Sequence, residues 1–291
     1  MSPGRAVARK FRAGPLDAGV TLGAWLASRM GVLLGDVESM VARGSVYLDG
    51  KRVPPGGVVR PLVGGERVTV YAAAPPREDV EPFHVVFQDR DVLVACKPSG
   101  LPSQAAREGG PSLDGLVRAL EKGARLMHRL DRDASGLVLF ALSPSATVKI
   151  QRALEQGTLK REYLAVVSGN PANERFTLDA PIGRDPTDHR RYKARVSGGK
   201  NAITHVSVVR KGMAPTGAPV SLVMASLVTG RTHQIRVHLA DAGYPLLGDR
   251  LYAPPLVVAL APRLALHATR LAWPGGEARS ELPLELAALV G

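Results

Sequence analysis

Cysteine occurs once in the 291 residues, at Cys96. A disulfide framework is therefore excluded, and no Cys/His cluster has the spacing of zinc ligands, so no structural metal is expected. No stretch approaches the roughly 18 consecutive apolar residues of a membrane span, and the start, Met1-Ser2-Pro3-Gly4-Arg5, has no apolar run of the kind that opens a secretory signal. These absences lead us to expect a soluble, cytoplasmic protein with no membrane partner. Acidic residues are also scarce relative to basic ones: 26 Asp and Glu stand against 38 Lys and Arg, a net charge of +12. That sign favours a polyanionic partner, nucleic acid first; the plainer alternative is that the charge only keeps the protein in solution.

What is present suits two domains, a small one followed by one of about 200 residues. Residues 1–14, with Arg5, Arg9, Lys10 and Arg12, read as a flexible basic arm. Residues 15–74 read as a small α+β domain. Leu22, Leu26 and Met30 recur at helical spacing, and Asp36 is placed to cap a second helix carrying Val37, Met40 and Val41 and closed by Gly44. Val46–Leu48, the turn Asp49-Gly50 and Lys51–Val53 then form a hairpin pattern. The Pro-rich stretch 75–82 has linker composition, and residues 83–291 form the larger domain.

In that larger domain strand patterns outnumber helices. A hairpin is predicted around Gln88–Asp91, helices after Ser112 and Ser143-Pro144, and a buried strand at Gly136–Leu142. Further strands are predicted at Tyr163–Val167, Ile203–Val209 and Val220–Val228, and a helix at Thr232–Ala242. The absence of strict alternation implies an α+β fold with a mixed, largely antiparallel central sheet and flanking helices. The densest polar segment, His128-Arg129-Leu130-Asp131-Arg132-Asp133, is a loop that runs into the buried strand. A charged loop held by a rigid strand is a natural place for chemistry, although the same residues also suit a structural ion-pair turn.

His128-Arg129-Leu130-Asp131 followed by Ser135-Gly136-Leu137 resembles the signature of the RluA-like family of RNA pseudouridine synthases. Five more segments resemble the family's motifs in the same order: Lys97–Pro102, Lys160–Val167, Pro181–Asp185, Gly230–Leu239 with Gly243, Pro245, Gly248 and Asp249, and Arg263–Ala268. Together they span roughly residues 83 to 275. One departure is Ala134, where threonine is usual. Residues 15–74 resemble, more weakly, the RNA-binding module named after ribosomal protein S-four, with Gly44–Lys51 matching its hairpin. Asp36 and Glu38 stand where that module would profit from cations.

The resemblance implies the pseudouridine synthase fold, an isomerase acting on uridines of ribosomal or transfer RNA, and no cofactor. It also implies site roles. Asp131 is the catalytic carboxylate and Tyr163 the ring beneath the uracil, with a hydroxyl for proton transfer at C5. Arg231 is the cation gripping Asp131, a phosphate clamp being the alternative. Arg129 fills the gap left by a flipped nucleotide, and His128, Ile235, Lys97 and Lys160 complete the substrate contacts, the two lysines through phosphate unless they are merely solvated. His233 and His238, like His128, are expected to hold loops rather than bind metal. Two alternatives stay open at this point: a non-catalytic RNA-binding or ribosome-assembly protein, and a glycoside hydrolase or nucleosidase with Asp133 as second carboxylate.

Overall fold

The computed structural model describes residues 8–42, 44–54, 56–71, 83–105 and 111–291. The expected linker 75–82 and the first half of the basic arm lie outside the described residues. Contacts divide the rest into two compact units, one in the residues up to 71 and one in 83–104 and 112–291.

The small unit is built from β1 (Ala8–Arg12), α1 (Leu22–Met30), α2 (Leu34–Ala42), β2 (Val46–Leu48), β3 (Lys51–Arg52) and β4 (Arg67–Tyr71). Its antiparallel sheet runs β1-β4-β2-β3. Residues 8–12, expected in the flexible arm, are thus a strand. Phe11 seats its ring edge-on against Trp25 at 6.3 Å while the backbone pairs with the β4 edge, two gains that composition alone did not reveal. The second helix also begins earlier than Asp36. That residue sits inside the first turn, and its carboxylate reaches back to accept from Leu33 N–H at 3.1 Å. The predicted hairpin turn forms with Asp49 and Gly50 both at positive φ, 48° and 81°, the conformation that a two-residue hairpin loop demands.

The second unit contains β5 (His84–Gln88), β6 (Val92–Lys97), α3 (Leu113–Leu120), β7 (Arg125–Leu126), β8 (Ser135–Ala141), α4 (Pro144–Glu155) and β9 (Lys160–Ser168). These are followed by β10 (Arg175–Asp179), β11 (Ile182–Arg184), β12 (Tyr192–Ala194), β13 (Ile203–Met213), β14 (Pro219–Leu227) and α5 (Gln234–Asp241). The chain closes with α6 (Pro255–Val258), β15 (Leu266–Trp273), β16 (Gly276–Arg279) and α7 (Leu284–Ala287). The main sheet runs β10-β13-β14-β9-β15-β8-β6-β5, with β16 added to β15 and β7 to β8. Only the β8–β15 pairing is parallel among the described residues, so the mixed, largely antiparallel α+β architecture holds.

Strand β8 is buried along its whole length, which explains its uninterrupted apolar sequence. Each of Leu137, Val138, Leu139 and Phe140 is wholly buried, and burial of such a side chain contributes on the order of 1.5–3 kcal/mol. This strand fixes the end of the loop that precedes it. Gly136, at φ 110°, permits the parallel neighbour to approach: a Cβ there would collide with the backbone of Ala268. Alongside, Ser135 Oγ shares a hydrogen bond with His267 Nδ1 at 2.8 Å, which ties β8 to β15.

Candidate active site

Asp131 sits in the loop between β7 and β8, and that loop is stitched to the segment after β6. Gly100 N–H donates to Arg132 O at 2.8 Å, Arg132 Nε returns a bond to Gly100 O at 3.0 Å, and Ser99 Oγ donates to Asp133 O at 2.6 Å. Ser103 Oγ both donates to Leu130 O and accepts from Leu130 N–H. Beneath them Lys97 is wholly buried, its ammonium donating to the carbonyls of Pro98 and Leu101 at 2.8 Å and of Arg132 at 3.0 Å. Burial pulls its pKa down to about 7, against the raising influence of Asp133 and Asp131. Lys97 is therefore neither a phosphate contact nor a solvated charge. It pins the two loops from below.

These ties also bear on Ala134, which is 1% exposed and donates its N–H to Asp131 O at 3.2 Å. The turn is held by backbone groups, Lys97, Ser99 and Ser103, so it stays closed without the usual threonine hydroxyl.

The cation on Asp131 is Arg236, not Arg231. Arg236 Nη1 donates to Asp131 Oδ2 at 2.9 Å, while Nε and Nη2 of the same guanidinium grip Asp249 at 2.8 and 2.7 Å. Asp249 has no exposed side-chain surface and Arg236 only 8%. The fork is thus locked on its far side and presents one N–H to the loop. The carboxylate partners drive the Arg236 pKa upward although burial opposes them, so the guanidinium keeps its charge. Arg231 instead lies exposed, donating Nε to Asn201 O at 2.9 Å. The difference is positional: Arg231 precedes α5, whereas Arg236 lies in a helix of which Gln234 through Leu239 are all buried. A charge in such a helix requires a counter-ion, and that was the signal by which the sequence could have pointed to Arg236 and Asp249.

Tyr252, which carried no assigned role, and His233, expected to hold a loop, lie beside the Arg236–Asp131 pair. Tyr252 lies under Arg236, ring centre to guanidinium 5.0 Å, and its hydroxyl accepts from Tyr192 N–H at 2.9 Å. The same hydroxyl shares a hydrogen bond with His233 Nδ1 at 2.7 Å, and His233 Nε2 lies 3.8 Å from Asp131 Oδ1. Burial pushes Tyr252 up to about 12 and His233 below its ordinary value. His233 holds a left-handed backbone, φ 57°, at the start of α5, an uncommon state for a residue with a side chain.

Tyr163 stands on β9 between Ala225 of β14 and Ala268 of β15, 5% exposed. Burial raises its phenol pKa, with Arg161 opposing and Asp131 adding to the rise, so the hydroxyl is protonated near neutrality. Arg129 projects from the same loop as Asp131, exposed, with Nη1 3.4 Å from Gln104 Oε1. Lys160 is exposed and donates to Gly157 O.

Two expected substrate contacts turn inward. His128 Nε2 accepts from Leu139 N–H at 3.2 Å and burial drives its pKa to about 3, so it is a neutral brace of β8. Ile235 is 4% exposed and belongs to the apolar core. His238 braces as well, between Thr204 Oγ1 and the Ala180 carbonyl.

The arrangement is a carboxylate aimed by a fixed guanidinium beside a buried tyrosine. Residues 91–241 match the family model described as RNA pseudouridylate synthase. The chain is 36% identical to the uncharacterized RNA pseudouridine synthase YlyB of Bacillus subtilis, over 75% of this chain and 74% of the relative. It is 34% identical to the ribosomal large subunit pseudouridine synthase D of Neisseria meningitidis serogroup B, over 86% of this chain and 70% of the relative. Among solved structures, human RNA pseudouridylate synthase domain containing 1 superposes with a TM-score of 0.64 at 29% identity, covering 73% of this chain and 88% of that one. The chain belongs to the RluA-like family of RNA pseudouridine synthases. It is accordingly an isomerase with RNA as substrate, and neither the purely binding protein nor the hydrolase fits.

Proposed function

We propose that the protein converts particular uridines of structured ribosomal or transfer RNA to pseudouridine in the cytoplasm, with Asp131 as the catalytic residue acting on a nucleotide flipped out of its stack. The observation that carries this reading is the Asp131–Arg236–Asp249 arrangement, in which a guanidinium locked on Asp249 holds one oxygen of the Asp131 carboxylate and so aims it. The other oxygen, Oδ1, 3.8 Å from His233 Nε2, either attacks the sugar carbon, forming an ester as uracil departs through N1, or takes a ribose proton and gives a glycal. The released base rotates, C5 bonds to the sugar carbon, and the carboxylate is regenerated. The C5 proton must then leave. Tyr163, a neutral phenol in the resting site, supports the uracil by its ring and relays that proton through its hydroxyl, giving up its own proton as it takes the one from C5, while N1 takes up one proton so that the isomerisation balances. No bond is oxidised or hydrolysed in the sequence, so it calls for neither metal nor cofactor.

Arg129, exposed beside Asp131, is assigned to the gap that the flipped base leaves, and Lys160 to the phosphates. The reading of an RNA of the ribosomal or transfer class is supported by a relative named for the large ribosomal subunit. Among the described residues no helix is long and apolar enough to cross a membrane. The deciding experiment maps pseudouridine across total RNA of cells with the wild-type protein, with Asp131→Asn and with neither. Sites present only with the wild type identify the target; an identical map in all three would overturn the proposal.

A further inference from the structure

We infer that the outer face of the small unit's sheet is a platform for a single-stranded stretch of RNA, and that this face rather than the unit's helices makes its RNA contact. The inference rests on RNA being the substrate.

Cross-strand partners share a side of a sheet, so the pairing register sorts the side chains. Lys10 faces Thr69, Arg12 faces Arg67 and Ala8 faces Tyr71 across β1 and β4. Tyr47 faces Thr69 across β2 and β4, and Arg52 faces Tyr47 across β3 and β2. Lys10, Arg12, Arg52, Arg67, Tyr47 and Tyr71 therefore stand together on one side. The other side, with Val46, Leu48, Val68 and Val70, is buried against the helices.

The outward side has the two ingredients that a single strand requires. Tyr71 meets the Tyr47 ring edge to face, centroids 5.3 Å apart at 80°, and is partly exposed, so the Tyr71 ring offers surface on which a base can stack. Cations flank the rings on several strands: Lys10, Arg12 and Arg67 are exposed, and the Arg52 guanidinium lies across Gly44, where any side chain would collide with it. Among the described residues, the carboxylate paired with these cations is Asp49, whose Oδ1 is 3.9 Å from Arg67 Nε in an exposed pair that a phosphate readily displaces. The helical side is different in kind. Asp36 and Glu38 are exposed on α2 beside exposed Leu33 and Leu34, and Arg29 is engaged by Asp17 and the Trp25 ring.

The test uses the full chain and a fluorescent twelve-nucleotide oligoadenylate, which offers phosphates and bases but no uridine to the catalytic residues. The triple variant Lys10→Gln/Arg12→Gln/Arg67→Gln is expected to bind at least tenfold more weakly near 0.1 M salt. Its log–log salt slope should be shallower by about 2, from roughly 0.7 per lost phosphate contact. Tyr71→Leu is expected to weaken binding roughly five- to a hundredfold with the slope unchanged, the loss of one stacked base, whereas Tyr71→Phe binds as the wild type does. Arg29→Gln is expected to change nothing. An unaffected triple variant, an equal loss in Arg29→Gln, or a Tyr71→Leu variant that melts and binds as the wild type does would each overturn the inference. So would full competition by polyglutamate that no tyrosine substitution alters, because the face would then be a contact for any polyanion. Pseudouridine formation by the wild type on total RNA is measured in parallel: its absence would undercut RNA as the substrate, and its presence beside an unaffected triple variant would sink the platform alone.

Discussion

Arg236 Nη1 donates to Asp131 Oδ2 at 2.9 Å across 105 positions of sequence. The bond is directional because the remaining edge of the guanidinium is spent on Asp249, so the loop carboxylate is met by a donor that cannot swing away. This geometry leads to a set of measurable outcomes.

Asp131→Asn keeps an oxygen for Arg236 to bond and removes the charge and basicity. The variant is expected to fold and bind RNA with pseudouridine formation abolished. Single-turnover assays check this, and residual turnover above about a hundredth of wild type, a loss of only about 2.7 kcal/mol, would remove Asp131 from the catalytic role.

Arg236 and Arg231 should separate cleanly. Arg236→Gln leaves Asp249 as an uncompensated charge in the interior, and the expected cost is about 3–5 kcal/mol of stability together with loss of turnover. Arg231→Gln removes an exposed bond to a carbonyl, so its melting temperature should stay close to wild type and its turnover within a few-fold. Chemical denaturation and initial rates on the same preparations decide it. A collapse of activity confined to Arg231→Gln would reverse the assignment.

Lys97 gives the stability a pH signature. Its pKa is about 7 when folded against 10.5 when free, so between these values the unfolded chain binds more protons than the folded one. Stability contributed by this group therefore rises with pH across that window, by at most about 1.4 kcal/mol per pH unit. Lys97→Met lacks the titration and leaves three carbonyls without their donor. The wild type is expected to be the more stable, and its lead to widen from pH 7 to 10 in urea titrations; a lead independent of pH would contradict the lowered pKa of the buried lysine.

Tyr163→Phe retains the ring and deletes the hydroxyl. RNA affinity is expected to be unchanged, turnover to fall about a hundredfold, and the isotope effect with deuterium at C5 to grow, because proton departure becomes the slow step. Turnover like wild type with an unaltered isotope effect would leave the ring as a support only, in which case Tyr163→Leu but not Tyr163→Phe should be inactive.

Much of this architecture was legible in the residues. The apolar run 136–142 had the length of a buried strand, Ser143-Pro144 carried the signal of a helix start, and Asp49-Gly50 carried its turn chemistry locally. Elements whose stability comes from neighbours were not legible. Strand β15 interleaves His267, Thr269 and Arg270 among apolar residues and reads poorly alone; it is a strand because β9 and β8 flank it and β16 extends it. Strand β1 looked like a basic arm because its hydrogen bonds belong to β4.

The same division runs through the site. Local sequence placed Asp131 in a loop anchored by a buried strand and Tyr163 on a strand of its own, because each lies within an element whose pattern is self-contained. Which arginine meets Asp131, and whether Lys97 faces solvent or three carbonyls, depended on how α5 and the loop after β6 pack against the segment before β8. Arg231 and Arg236 are five residues apart in one motif and chemically identical. A guanidinium finds its carboxylate through space, and only the tertiary fold brings residues 131, 236 and 249 within hydrogen-bonding distance, at a depth where an unpaired charge would be costly.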